Sequence, residues 1–136
     1  MDNIQRKIIM KSLLVWLLII PFAILNGGLR NEVIEPMLGW IAEPISGIIL
    51  CTFIFLLCLF LIPRLGKGNK KTYIVMGCIW LLLTIVIEFI IGFIEGNTFN
   101  ELLAAYDITT GNLWVLVLII TATSPYLSAK IKVGVK

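Results

Sequence analysis

The sequence predicts an all-α, polytopic membrane protein: four transmembrane helices in an antiparallel bundle, with a short interfacial amphipathic helix between spans three and four. Three observations carry this. Four long apolar runs are separated by short polar breaks, and about 20 predominantly apolar residues suffice to cross a bilayer. The chain is 60% hydrophobic and 14% charged, with a mean hydropathy of +1.04, whereas about 25% of residues are charged in an ordinary soluble domain. The charges fall almost entirely in the breaks and are sorted there by sign. At 136 residues, residues 1–136 make a single membrane domain.

The first span is expected over about residues 8–29, after a basic start holding Arg6, Lys7 and Lys11. A basic start and an apolar core also fit a signal peptide, but cleavage wants small residues, and Phe22, Ile24 and Leu25 do not supply them. The span therefore reads as retained. Pro21 should kink it by removing one backbone bond. Gly27 and Gly28 are expected to let a neighbouring backbone approach. Residues 31–43 are not a span: Glu32, Glu35 and Glu43 lie among apolar residues, and Pro36 and Gly39 break any long helix. Such a segment would lie on the membrane surface, with Trp40 at headgroup level.

Pro44 suits the first turn of a second span, about residues 44–62, which Pro63 and Arg64 stop. A glycine-containing basic loop follows, with Arg64, Lys67, Lys70 and Lys71. The third span covers about residues 72–93 and holds Glu88, the carboxylate set well inside an apolar run. Thr98 followed by Glu101 matches a capping box. Phe99, Leu102, Leu103 and Tyr106 then form one helical stripe. An interfacial helix is thus expected over about residues 98–108, with Gly111 as a stop. A loop helix packed on the bundle would show the same stripe. The fourth span is the shortest, about residues 113–127, with Trp114 and Tyr126 placed as aromatic belts require. Short connections favour antiparallel neighbours.

Ten of the eleven cations lie before span one, between spans two and three, or after span four; Arg30 alone does not. The positive-inside rule then puts both termini and the middle loop in the cytoplasm, in a cytoplasmic membrane. All the acids but Asp2 fall on or near the other face. Arg30 is thus a lone cation on an acidic side, at the end of a span, and Glu88 is expected to pair with it. Asn26 lies one turn deeper than Arg30 on the same face. Asn26, Arg30 and Glu88 would meet in the outer half of the bundle, with Tyr106, Asp107 and Glu32 closing over them.

Several chemistries lack their residues. There is no histidine, the commonest metal ligand and neutral-pH base. Cys51, Cys58 and Cys78 lie in apolar runs without a C-x-x-C pair, and small apolar packing is their ordinary use. No metal site and no cofactor are predicted. No basic face on a soluble fold points to nucleic acid.

The order Asn26-Gly27-x-x-Arg30, Pro36-x-Leu38-Gly39, Glu88-Phe89-x-x-Gly92 and Tyr106-Asp107-x-x-x-Gly111-x-x-Trp114 resembles a group of small four-span prokaryotic integral membrane proteins to which no activity is assigned. The resemblance runs from about residue 21 to residue 126. It implies a four-helix membrane fold and marks these polar positions. In that group an acid often follows the arginine directly; here Asn31 intervenes and Glu32 is the nearest acid.

Three functions remain in view. Intramembrane ionisable residues commonly line substrate paths, so an outward-facing site around Arg30 and Glu88 would bind or transport a small anionic solute or a lipid headgroup. Membrane lipids are the expected partners, and four spans are few for a carrier, so a homo-oligomer or a partner subunit is expected with them. In the alternative, Arg30–Glu88 is a register-fixing ion pair in a structural or accessory subunit. A lipid-modifying enzyme using Glu88 and Asp107 is the third reading. It lacks a nucleophile–base pair, a D-D-x-x-D motif and a glycine-rich phosphate loop, and the balance leans away from an enzyme.

Overall fold

The computed structural model describes residues 2–107, 109 and 113–135. Among them there is no strand. Helical structure runs from Asn3 to Leu65, from Lys70 to Ile94 and from Trp114 to Lys132, each stretch long and apolar enough to cross a membrane. The elements are α1 (Asn3–Leu29), α2 (Glu35–Leu38), α3 (Ala42–Leu61), α4 (Lys70–Ile94), α5 (Phe99–Leu103) and α6 (Trp114–Lys132).

Local chemistry sets the ends. Asp2 caps α1, its side chain accepting from the Gln5 amide at 2.8 Å, so the helix starts in the basic segment before the apolar run. Asn69 caps α4 in the same way through Thr72. The capping box at Thr98 and Glu101 is formed from both sides. The helix it starts is shorter than the stripe predicts: α5 tightens into a 3-10 turn over Ala104–Tyr106. Gly111, read as its stop, lies outside the described residues.

Between α1 and α3 the chain does not uncoil. A π-helical turn over Arg30–Ile34 leads into α2, and a 3-10 turn over Gly39–Ile41 leads into α3. Gly39 has φ +66°, a left-handed conformation that glycine adopts without a Cβ penalty. The reversal lays α3 back along α1, and the Ser46 hydroxyl donates to Asn26 Oδ1. Met37 and Trp40 stand 77% and 80% exposed in this segment.

The long helices form a ring in which α1 and α6 each pack on both α3 and α4. Two tryptophans fix the register of α1 on α4. The Trp80 indole N–H donates to Ser12 Oγ at 3.2 Å, and that of Trp16 donates to Thr84 Oγ1 at 3.0 Å. Both bonds span 68 residues, so α1 and α4 are parallel. α4 and α6 are antiparallel and approach closely at Gly77, where a Cβ would lie 1.9 Å from the Ala122 carbonyl oxygen. α3 and α4, although joined by a short loop, sit diagonally. The 3-10 turn Ile62–Leu65, with Ile62 fully buried, carries the chain under the bundle and packs on α1 and α6. Trp80, Tyr73, Met76, Ile54 and Cys58 fill the core at this end.

Candidate functional site

The parallel register of α1 and α4 builds the site. The two helices are bolted together in one half, at Ser12/Trp80 and Trp16/Thr84. One turn further on, the same offset sets Ile20 level with Glu88 and Ile24 level with Gly92. All four line a cavity of about 320 Å³ that opens between the helices. Pro21 removes a backbone bond from α1 at this level. Ile54 of α3 and Val117 and Thr121 of α6 form the far wall. The interior is aliphatic; the ionisable lining residues are Arg30, Glu88 and Glu95.

Glu88 is held by donors, not by a cation. Tyr106 Oη donates to its Oε2 at 2.8 Å, and the Trp114 indole N–H donates to the same oxygen at 2.9 Å. Among the described residues Oε1 accepts no hydrogen bond, and it belongs to a side chain that lines the cavity. Two elements aim these donors. Leu102 of α5 fits the notch at Gly92, where a Cβ would come within 2.3 Å of Leu102 Cδ2. Phe89 of α4 then packs between Phe99 and Tyr106, with ring centroids at 5.8 and 6.4 Å. The apolar stripe of the 98–106 segment is thus used largely to seat Tyr106. The Tyr106 phenol is pushed up to about 12, first by burial and then by its bond to the Glu88 carboxyl. It stays a donor at any physiological pH.

The expected Arg30–Glu88 ion pair is not formed. Arg30 Nε donates to Asn31 Oδ1 at 3.3 Å, and among the described residues the guanidinium has no carboxylate partner. The register supplies the reason. Arg30 leans back one turn, so that Nη2 lies 3.8 Å from where a Gly27 Cβ would be. Residue 27 is level with residue 95 on the 68-residue offset, seven residues beyond Glu88. Seven residues are roughly 10 Å along a helix axis, out of reach for a direct pair. Arg30 is half-buried and lines the rim of the cavity; Glu88 lines it deeper.

The other predicted site residues divide. Tyr106 joins Glu88. Asn26 is turned to Ser46 and lines a second, smaller space of about 160 Å³ between α1, α3 and α6, which Arg30 and Glu43 share. Asp107 is exposed and accepts from the Thr109 amide at 3.0 Å and the Thr109 hydroxyl at 2.6 Å, bonds that hold its carboxyl below the usual range. It does not line the cavity. Glu32 is exposed. Gly27 and Gly28 admit no neighbouring backbone: nothing stands within 4 Å of a Gly28 Cβ, and the close approach is at Gly77 instead.

Trp114, Thr84 and Ser46 were not legible as site-building residues. Trp114 reads from sequence as a belt residue, yet its indole points inward. The available cue was the carboxylate itself, since a buried acid needs donors and an indole N–H needs an acceptor. Among the described residues no three His, Cys, Asp or Glu side chains gather as a metal site would require.

No protein-family model matches the chain, and no curated protein or solved structure does. The geometry alone supports the reading that follows.

Proposed function

We propose that the chain is a four-span protein of the cytoplasmic membrane, in which Asn3–Leu65 makes two crossings and the basic ends face the cytoplasm. Its outward-facing cavity binds the anionic headgroup of an amphiphile. The observation that carries this reading is the make-up of the cavity. Aliphatic walls run from Ile54 to Ile24, and a half-buried guanidinium with unused donors stands at the rim. A guanidinium carries five N–H donors in a fork that matches phosphate and carboxylate. Among the described residues one of those donors is used, on Asn31. A small solute would leave the aliphatic walls wet, whereas an acyl or prenyl chain covers them. Ile24 is 60% exposed while lining the cavity, so the opening between α1 and α4 faces where lipid would lie.

The register-pair alternative needs an Arg30–Glu88 contact, and the 68-residue offset keeps the two apart. The test is ligand-induced stabilisation in neutral detergent. A long-chain alkyl phosphate should raise the Tm of the wild type, an uncharged alcohol of the same chain should not, and Arg30→Gln should lose the rise. An equal rise in Arg30→Gln, or no rise with any charged amphiphile, would sink the proposal.

A further inference from the structure

The cavity orders its chemistry by depth, and the order specifies a ligand. Beyond Glu88, toward the Trp16–Thr84 bolt, the lining is Ile19, Ile54, Val117 and the two threonines Thr84 and Thr121. At mid-depth stands the Glu88 carboxyl, with Oε2 taken by Tyr106 and Trp114 and Oε1 taking no hydrogen bond from the described residues. At the rim stands Arg30. A ligand lying along this axis meets an apolar floor, then a hydrogen-bond acceptor, then a cation.

The spacing narrows the choice. The guanidinium and the Glu88 level are separated by roughly 10 Å. Charge-assisted hydrogen bonds take about 3 Å at each end. About 4 Å is left between the ligand's donor atom and its anionic oxygen, a through-space gap that the five bonds, each roughly 1.5 Å, from a hydroxyl oxygen to an oxygen of a phosphate on the neighbouring carbon span in a folded conformation. The volume narrows it again: 320 Å³ is at the small end of the roughly 300–1,000 Å³ usual for ligand pockets, so the cavity itself houses one chain.

We infer that the cavity takes a single-chain amphiphile with a free hydroxyl next to its phosphate, as in a lysophospholipid: the chain on the aliphatic floor, the hydroxyl donating to Glu88 Oε1, the phosphate on Arg30. Tyr106 and Trp114 act as positioning residues, because by occupying Oε2 they turn the other oxygen to the ligand. Glu95 also lines the rim; it is exposed, and solvent screens an exposed carboxylate far more than a half-buried guanidinium. This inference rests on the amphiphile reading of the same cavity.

The test uses the full chain in neutral detergent and three probes of equal chain length: 1-acyl lysophosphatidic acid, its 2-O-methyl ether, and diacyl phosphatidic acid. Bound populations are compared by native mass spectrometry. The lyso form should exceed both others by tenfold or more in the wild type. Glu88→Gln, whose amide can turn a donor toward the ligand, should bring the lyso form and the ether to within twofold of each other. Ether or diacyl lipid binding as well as the lyso form in the wild type overturns this inference and leaves the amphiphile reading standing. Absence of binding by all three probes overturns both.

Discussion

Trp114, the first residue of α6, donates its indole N–H to Glu88 in the C-terminal half of α4, at 2.9 Å. The bond closes one end of the antiparallel α4–α6 pair, which also approaches closely at Gly77 and Ala122. Tyr106 reaches the same carboxylate oxygen from the α5 side. Three elements therefore meet on one atom, and that atom belongs to a cavity wall.

Sharing one acceptor has a measurable consequence. Trp114→Phe and Tyr106→Phe should each lower the thermal stability of the detergent-solubilised protein by about 1.5–3 kcal/mol, the usual value of a hydrogen bond to a charged group. The double variant should cost more than the sum of the two, because in each single variant the remaining donor tightens when its competitor is removed and offsets part of the loss. Unfolding monitored by circular dichroism, run as a double-mutant cycle, checks this; strict additivity would show that the two bonds are independent.

The Tyr106 phenol gives a pH test. Its value is raised to about 12 in the folded state, against about 10 for a free tyrosine. The neutral form is the one favoured by folding. Its contribution is complete below about 10 and is lost as pH climbs from there through about 12. Ultraviolet phenolate absorbance of the wild type minus that of Tyr106→Phe should isolate a titration near 12. Glu88→Gln should move it down part of the way, since burial remains as the larger cause. A difference titration near 10 would contradict the packing of Tyr106 against Phe89.

Much of the fold was legible because its signals are local. Apolar runs, the Thr98 cap, and the punctuation by Gly39 and Pro63 each depend on a few neighbouring residues. The site was legible only in part. Glu88 and Arg30 were marked by the cost of charge near lipid, and both do line one cavity. Their pairing depended on the axial offset of α1 against α4, which is set half a helix away by Ser12, Trp16, Trp80 and Thr84. Nothing in the local sequence of either charged residue reports that offset. Counting inward from predicted span ends placed both at one depth, whereas α4 carries Glu88 some two turns below the guanidinium.

Glycine substitutions should fall in a steep order that follows contact distance. Gly77→Ala drives a methyl group to 1.9 Å from a backbone carbonyl oxygen, which a rotamer change cannot relieve. Helices α4 and α6 must part, at a cost of about 3 kcal/mol or more. Gly92→Ala meets the end of Leu102 at 2.3 Å, and a side chain can move, so about 1–2 kcal/mol is expected. It should also loosen α5, and with it the Tyr106 bond to Glu88. Gly28→Ala meets nothing within 4 Å and should stabilise α1 by about 0.5–1 kcal/mol through helix propensity. Thermal unfolding of the three variants under one detergent condition reads the order directly. A Gly77→Ala protein as stable as wild type would mean that α4 and α6 do not approach this closely.

Buried hydroxyls supply the last contrast. Ser12, Ser124 and Ser128 are all fully buried. Ser12 accepts the Trp80 indole N–H and itself donates to the Ile9 carbonyl at 2.6 Å. Ser124 Oγ and Ser128 Oγ have no hydrogen-bond partner among the described residues. Truncating the first orphans a buried donor, whereas truncating the others removes groups that are already unsatisfied. Ser12→Ala should therefore cost about 1 kcal/mol, between the ~0.6 kcal/mol average for membrane-helix hydrogen bonds and the roughly 1–3 kcal/mol of an orphaned donor. Pairing it with Trp80→Phe should recover part of the hydrogen-bond cost, since both polar partners are then gone. Ser124→Ala and Ser128→Ala should be neutral or slightly stabilising, by a few tenths of a kcal/mol. A loss above about 1 kcal/mol in either would show that these hydroxyls hold a water in the bundle, and a hydrated core between the cavity floor and the basic end would then extend the polar path beyond Thr121.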